Sequence, residues 1–117
     1  MGALSGIKVV DLTSMVSGPV AATILADQGA KVVKVEPLHG EQMRYLGPSD
    51  QGTPPTFFSC NRGKQSIAVD LKSEAGRTIL WRLIEQADVL IQNFRPGAMA
   101  RMGFSDEDIR SKNPRIV

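Results

Sequence analysis

Two turns rich in polar residues and glycine follow β-branched runs and could bind a small ligand. The first turn, Thr13–Gly18, comes after Ile7–Leu12, and the second, Asn93–Gly97, comes after Asp88–Gln92. In open α/β sheets, ligands bind beyond the carboxyl ends of the strands, next to helix N-termini. Free backbone N–H groups at the start of the helix that follows Gly18 would favour an anionic or strongly polar group. The first turn also fits a connection without a ligand, and spacing alone favours neither interpretation.

Three other candidates for chemistry are weaker. His39 is the only histidine and has no Cys/His cluster around it, so we expect a solvated loop residue and no metal cofactor. Cys60 is the only cysteine, which excludes an internal disulfide and suits the cytoplasm; it is expected to fill the core rather than act as a nucleophile. The run Gly63–Ser66 is not a P-loop, because Phe58 stands where the first glycine is required and Gln65 where Ser or Thr is required.

The elements that must position these turns form two strand–helix–strand units. Such units place their strands parallel, with a right-handed crossover. Apolar runs without alternation are typical of parallel strands covered on both faces. The predicted strands are Ile7–Leu12, Lys31–Glu36, Ser66–Leu71 and Asp88–Gln92, and the predicted helices are Pro19–Gln28 and Glu74–Ala87. The sequence therefore predicts an α/β fold with a mostly parallel sheet and flanking helices.

The first helix carries start and stop signals. Pro19 fits the first helical position, and Gly29 fits a left-handed cap at the end. Helical spacing predicts an apolar buried stripe of Val20, Ala21, Ile24 and Leu25. In the second helix Trp81 lies off the apolar stripe, so it packs either on a neighbouring segment or on chain beyond this sequence.

The later parts of the chain are less regular. Residues 37–64 are rich in proline and glycine and predict a long loop region. A short helix over Ala98–Met102 and another from Ser105 to Lys112 follow the second turn. Arg115–Val117 resembles the start of a further strand, so we expect these 117 residues to be the N-terminal part of a longer protein.

Composition excludes several classes of protein. The net charge is only +2, the basic residues are dispersed and the aromatic content is 5%, so nucleic acid is not an expected partner. No apolar run approaches the roughly 20 residues of a membrane span, and the N-terminus lacks signal-peptide features. With 42% hydrophobic residues the chain can build one core. A cytoplasmic globular domain is expected.

Several motifs in order resemble the N-terminal part of the family III CoA-transferases. This family includes formyl-CoA transferases, carnitine CoA-transferases and α-methylacyl-CoA racemases. Each motif alone is weak, but their succession covers essentially the whole chain. The motifs are Gly6–Asp11, Gly18-Pro19, Leu25–Ala30, Val33–Pro37, Asn61–Lys64, Asp70–Lys72, Asn93–Gly97 and Asn113–Arg115.

The resemblance implies that residues 1–117 are the N-terminal portion of a Rossmann-like, CoA-binding domain. It implies an interlocked homodimer, and acyl-CoA and a carboxylic acid acceptor as substrates. Transfer in this family proceeds through an aspartyl-CoA thioester, but the nucleophilic aspartate lies beyond Val117. The resemblance therefore implies no catalytic residue in this chain, and the simplest interpretation of Asp11, Glu36 and Asp70 is strand-end structure.

The resemblance also implies which residues contact CoA. Basic groups suit its phosphates, while apolar walls and backbone groups suit its adenine and pantetheine. Among basic residues we expect Arg101 to contribute most, because a guanidinium grips a phosphate with two hydrogen bonds. Arg77 and Arg82 are expected on a solvated face of the second helix. The implied contacts are Val16, Ser17, Val69, Lys72, Asn93, Phe94, Arg95 and Arg101.

This sequence departs from the formyl-CoA transferase pattern at three positions. Val16 replaces a glutamine of the first loop, which argues against oxalate chemistry, and Pro37 replaces an arginine that would stack on adenine. Gln65 replaces a commonly basic residue, which removes one possible phosphate contact. The favoured activity is CoA transfer between carboxylic acids, and the sequence does not specify which acids are the substrates.

Alternatives remain open at the level of sequence. An α-methylacyl-CoA racemase belongs to the same family. A dinucleotide-binding oxidoreductase would place a ribose-binding acid near Glu36, although the first turn lacks G-x-G-x-x-G. A binding or assembly module without catalysis is the third alternative.

Overall fold

A single parallel sheet forms the centre of the molecule. The computed structural model describes residues 1–50 and 52–117. The strands run in the order β3-β2-β1-β4, and every neighbouring pair is parallel. This confirms the predicted α/β fold. Their bounds are β1 Lys8–Asp11, β2 Lys31–Glu36, β3 Gln65–Ala68 and β4 Val89–Ile91.

Prediction of the strand bounds was best at the centre of the sheet. Strand β2 has the predicted bounds, whereas β1 and β4 are each one residue shorter at both ends. The predicted end of β3 at Leu71 was wrong, because the ladder with β2 ends at the pair Glu36–Ala68. β3 lies at one edge of the four strands and pairs only with β2 among the described residues.

Five α-helices and one 3₁₀ turn accompany the sheet in the described part of the chain. The 3₁₀ turn spans Gln42–Tyr45. Helix α3 begins as predicted, since the Ser73 hydroxyl accepts a hydrogen bond from the Gly76 N–H at 2.9 Å. The helices are α1 Ser17–Asp27, α2 Pro55–Asn61, α3 Glu74–Gln86, α4 Ala98–Arg101 and α5 Asp106–Lys112.

Helix α1 starts earlier than predicted. It begins at Ser17, so Pro19 occupies the third helical position rather than the first. The Val20 N–H is not free for a ligand, because it donates to the Val16 carbonyl at 2.9 Å. Gly29 has a φ of +103°, which confirms the expected left-handed residue after the helix.

The buried face of α1 is made of small residues instead of the predicted apolar stripe. A Cβ at Gly18 would lie 2.3 Å from the Thr13 Cβ, so the helix approaches the preceding loop too closely for larger side chains. The buried residues are Gly18, Pro19, Ala22 and Thr23. Of the predicted stripe, Leu25 packs partly buried on the core, whereas three residues are exposed: Val20, Ala21 and Ile24.

The described residues of 37–50 and 52–64 include regular structure where the sequence predicted a long loop. They contain the 3₁₀ turn and α2, so that prediction was wrong. The prolines suggested a loop, but Pro55 occupies the first position of α2, where a missing N–H costs nothing. Helix α2 buries Phe57 and Cys60, which confirms the core role expected for the cysteine.

Both faces of the sheet are covered, as expected for parallel strands. Beneath α3 and α5 lies a core that includes Val10, Leu80, Ile84 and Phe104. The Trp81 ring lies 4.7 Å from the Phe104 ring, so it packs on a neighbouring segment. The other face is smaller and holds Val9, Ala22, Ala30 and Val32. In the described part of the chain, no helix combines the length and apolar character that a membrane span needs.

The free side of β4 carries backbone contacts from the last residue. The Leu90 N–H donates to the Val117 carbonyl at 2.9 Å, and the Val117 N–H donates to the Asp88 carbonyl at 3.0 Å. This is the hydrogen-bond pattern of a parallel ladder, as predicted for a strand starting at Arg115, although the segment lies outside the four strands.

Candidate functional site

A cleft of about 590 Å³ lies at the carboxyl ends of the strands. Its walls are the loops that follow β1, β2 and β3, and residues just after β4 close one side. The lining comprises residues 12–14, 35–42 and 69–72 together with Phe94 and Met102. This is where an α/β sheet places ligands, and the walls are mostly apolar with Lys72 as a cation among them.

The structure brings some of the predicted site residues into this cleft and leaves others outside its lining. Val69, Lys72 and Phe94 line the cleft. Asn93 is adjacent to it and contacts the Ser14 backbone of the lining. Four predicted residues are exposed and do not line the cleft: Val16, Ser17, Arg95 and Arg101.

Arg101 lies at the end of α4 and folds back over the preceding turn. A Cβ added at Gly97 would be 2.8 Å from the Arg101 Nη1, so a side chain at this position would displace the guanidinium. Gly97 also has a φ of +81° and is the N-cap of α4. The turn after β4 thus places an exposed guanidinium one helical turn from its glycine.

Asn93 joins the two turns identified from sequence. The Ser14 N–H donates to the Asn93 Oδ1 at 3.0 Å, and the Asn93 Nδ2 donates to the Ser14 carbonyl at 2.9 Å. The side-chain amide therefore uses both of its polar groups on one peptide segment.

Buried charged side chains also bind the loop that follows β1. The Lys34 Nζ, on a side chain 1% exposed, donates to the Thr13 carbonyl at 3.0 Å. The Glu41 Oε2 accepts from the Met15 N–H at 3.0 Å, and the Thr13 N–H donates to Asp11 at 2.8 Å. Lys34 and Glu41 were not among the candidate residues predicted from sequence. The available signal was a lysine in the middle of a strand whose neighbours are valines.

A buried ion pair joins the end of β1 to Lys64, the residue before β3. The Lys64 Nζ donates to Asp11 Oδ2 at 2.8 Å, to the Pro19 carbonyl at 2.9 Å and to Asn61 Oδ1 at 2.9 Å. Burial lowers the pKa of the Lys64 ammonium, and the hydrogen bond to Asp11 opposes that shift. Lys64 thus faces the interior, in agreement with the rejection of a P-loop, and Asp11 is strand-end structure as expected.

Glu36 at the end of β2 is fully engaged by protein groups. Arg44 donates to both carboxylate oxygens at 2.7 Å, the Glu41 N–H donates at 2.9 Å, and the Ser66 hydroxyl donates as well. Burial alone would raise the pKa of Glu36, but the hydrogen bonds outweigh it and lower that pKa to about 2. A ribose-binding acid needs free acceptors, so this geometry argues against a dinucleotide site of the oxidoreductase type.

The lowered pKa of Glu36 predicts a loss of stability in acid. Its folded pKa of about 2 lies below the ordinary 4.5. The stabilisation is therefore complete above the unfolded pKa and is lost as pH falls from about 5 to 2, by at most about 3 kcal/mol. Glu36→Gln should flatten this part of the profile in urea unfolding, whereas Glu85→Gln on the exposed face of α3 should leave it unchanged. Equal acid sensitivity of wild type and Glu36→Gln would contradict the assignment.

Lys72 lies in the loop between β3 and α3, where hydrogen bonds to its N–H and its carbonyl fix the backbone. The Asp70 carboxylate accepts from the Lys72 N–H at 3.0 Å, and the Arg77 Nη1 donates to the Lys72 carbonyl at 2.9 Å. The prediction that Arg77 lies on a solvated face was wrong. Its side chain is half-buried, and its Nη1 also donates to the Leu71 carbonyl at 3.4 Å. Arg82 is exposed, as expected.

Comparison with known proteins identifies the chain's relatives. The family model described as CoA-transferase family III matches residues 4–117. The chain is 45% identical to the acetyl-CoA:oxalate CoA-transferase of Acetobacter aceti, over 99% of this chain and 30% of that protein. It is 42% identical to the human succinyl-CoA:glutarate CoA-transferase, over 97% of this chain and 26% of that protein.

A solved structure agrees in fold. A CAIB/BAIF family protein from Brucella suis superposes with a TM-score of 0.94 at 38% sequence identity, covering 99% of this chain and 32% of that one. The chain thus spans about 30% of the length of the curated relatives it matches.

Proposed function

The chain belongs to CoA-transferase family III, and we propose that the protein carrying it transfers CoA between carboxylic acids. The observation that carries the proposal is the cleft at the carboxyl ends of the strands, with its apolar walls and Lys72. A ligand that combines a flat aromatic base and an apolar arm with a phosphate group matches such a cleft. Residues 1–117 are then the N-terminal portion of the CoA-binding domain.

We infer that CoA contacts the eight residues implied by the motifs. Val69 and Phe94 supply apolar walls, and Lys72 supplies an ammonium group for a phosphate. Arg101 is exposed and precedes Met102 of the lining, and its planar guanidinium suits a second phosphate. The remaining contacts come from the start of α1 and the turn after β4: Val16, Ser17, Arg95 and the backbone of Asn93, whose side-chain amide is used on Ser14.

The chemistry proposed is covalent transfer through an aspartyl-CoA thioester. An aspartate carboxylate supplied from outside residues 1–117 accepts the acyl group of acyl-CoA and releases the CoA thiolate. That thiolate then displaces the acyl carboxylate from the resulting anhydride, leaving CoA on the aspartate. The acids of this chain are not candidates for that role, since Asp11 and Glu36 are held by Lys64 and Arg44.

A homodimer is proposed as the working assembly. Helix α1 leaves an apolar face uncovered, with Val20 37% and Ile24 50% exposed. Val16 at its start is 49% exposed and lies on the same side by helical spacing. An uncovered apolar helix face of this kind supports burial against another part of the assembly.

A transfer assay tests the proposed activity. The intact protein is incubated with acetyl-CoA or succinyl-CoA and a free acid, with oxalate and glutarate as probes because two relatives carry these names. We expect the CoA thioester of the added acid to appear, detected by mass spectrometry, and none in the mixture without protein. Loss of the α-proton of a 2-methylacyl-CoA in deuterated water, without any transfer, would replace the proposal with racemisation.

A further inference from the structure

The loop Thr13–Ser17 has a backbone conformation that its own sequence does not favour. Met15 has a φ of +70°, in the left-handed region that non-glycine residues rarely adopt. No other described non-glycine residue has a positive φ. Such a conformation persists only where the surrounding structure maintains it.

Besides Lys34, which binds the Thr13 carbonyl, two side chains from distant parts of the chain bind Ser14 and Met15 themselves. Asn93 binds the N–H and the carbonyl of Ser14, and Glu41 accepts from the N–H of Met15. The partners are 79 and 26 residues apart in sequence, so neither contact is part of a local turn. We call Asn93 and Glu41 the loop clamp.

The surroundings of Glu41 suggest that holding the loop is its main role. Its side chain is 3% exposed, and among the described residues its Oε1 has no hydrogen-bond partner. The nearest cation, the Lys34 Nζ, lies 3.9 Å from Oε2. Burying a carboxylate with one unsatisfied oxygen costs folding free energy. The hydrogen bond that the Glu41 side chain does make is the one it accepts from the Met15 N–H.

The clamped loop is a wall of the cleft. Thr13 and Ser14 line it, and the chain then enters α1 at Ser17. We propose that the side chains of Asn93 and Glu41 are positioning residues, which hold Thr13–Ser17 in the shape that receives CoA and do not themselves touch it. This inference rests on the proposed function, because it takes CoA as the ligand of the cleft.

Equilibrium titration of CoA into the intact protein separates positioning from contact. We expect Asn93→Ala and Glu41→Ala each to weaken binding roughly 10-fold. Because both act by freeing one loop, the double variant should be weaker by about 10- to 30-fold, whereas independent contacts would multiply to about 100-fold. Glu41→Gln keeps an acceptor for the Met15 N–H and should retain affinity within about 3-fold.

Amide hydrogen exchange without CoA provides a second readout. The Ser14 and Met15 amides should exchange at least about 10-fold faster in Asn93→Ala than in wild type, and the exposed control Gln86→Ala should leave them unchanged. Unchanged exchange, or a multiplicative loss of affinity in the double variant, would overturn the inference. If Glu41→Ala does not fold, amide hydrogen exchange in Asn93→Ala alone tests the inference. Wild type that does not bind CoA would refute the proposed function, and the exchange result would still decide the clamp.

Discussion

Lys64→Met is expected to lower the free energy of unfolding by about 3–5 kcal/mol. The Lys64 and Asp11 side chains are 2% and 0% exposed, and their polar atoms meet at 2.8 Å. Removing the ammonium leaves a buried carboxylate without its cation, and it also leaves the Pro19 carbonyl and the Asn61 amide oxygen without this donor. Urea unfolding of the intact protein, followed by circular dichroism, measures the loss.

Lys31→Met provides the matched control for this prediction. Lys31 begins β2 but is exposed, so the same substitution should change stability by no more than about 0.5 kcal/mol. Adding Asp11→Asn to Lys64→Met should recover part of the loss, because the uncompensated charge is then removed. A loss below about 1 kcal/mol for Lys64→Met would show that the pair does not support the fold.

Arg101→Ala is expected to weaken CoA binding by roughly 10- to 100-fold in the intact protein. The exposed guanidinium can form two parallel charge-assisted hydrogen bonds to one phosphate, whereas the Lys72 ammonium acts as a point charge. Lys72→Ala should therefore weaken binding less than Arg101→Ala does. Calorimetric titration with CoA measures both variants.

Arg82→Ala is the control for the affinity series. Arg82 is exposed on α3 and should change affinity by less than about 2-fold. Arg77→Ala is unsuitable for this purpose, because Arg77 holds the Lys72 carbonyl and its loss would disturb the cleft indirectly. Equal losses for Arg82→Ala and Arg101→Ala would show that the motifs misplace the phosphate site.

The sheet could be predicted from sequence because its signals are local. In β1 and β2, Val9 and Val32 are buried on one face of the sheet and Val10 and Val35 on the other, so runs of valine identify covered parallel strands. The inner face of α1 could not be predicted in this way. Its burial depends on the close approach of Gly18 to Thr13, and periodicity of large apolar residues favoured the opposite side.

The candidate site was predictable only in part. Its place at the strand ends follows from topology, and Val69, Lys72 and Phe94 do line the cleft. The contacts that shape the cleft join segments far apart in sequence, such as Glu41 with Met15 and Lys64 with Asp11. Local patterns carry no information about such pairs, and in the sequence Asp11, Glu41 and Lys64 resemble ordinary surface charges.

Parallel titrations of the intact protein with CoA and with NADH decide between a CoA site and a dinucleotide site. CoA should bind and be displaced by adenosine 3′,5′-bisphosphate, its nucleotide half, while NADH should not bind. The fully engaged Glu36 carboxylate is the structural reason to expect no dinucleotide. Binding of NADH together with no binding of CoA would show that the cleft is a dinucleotide site.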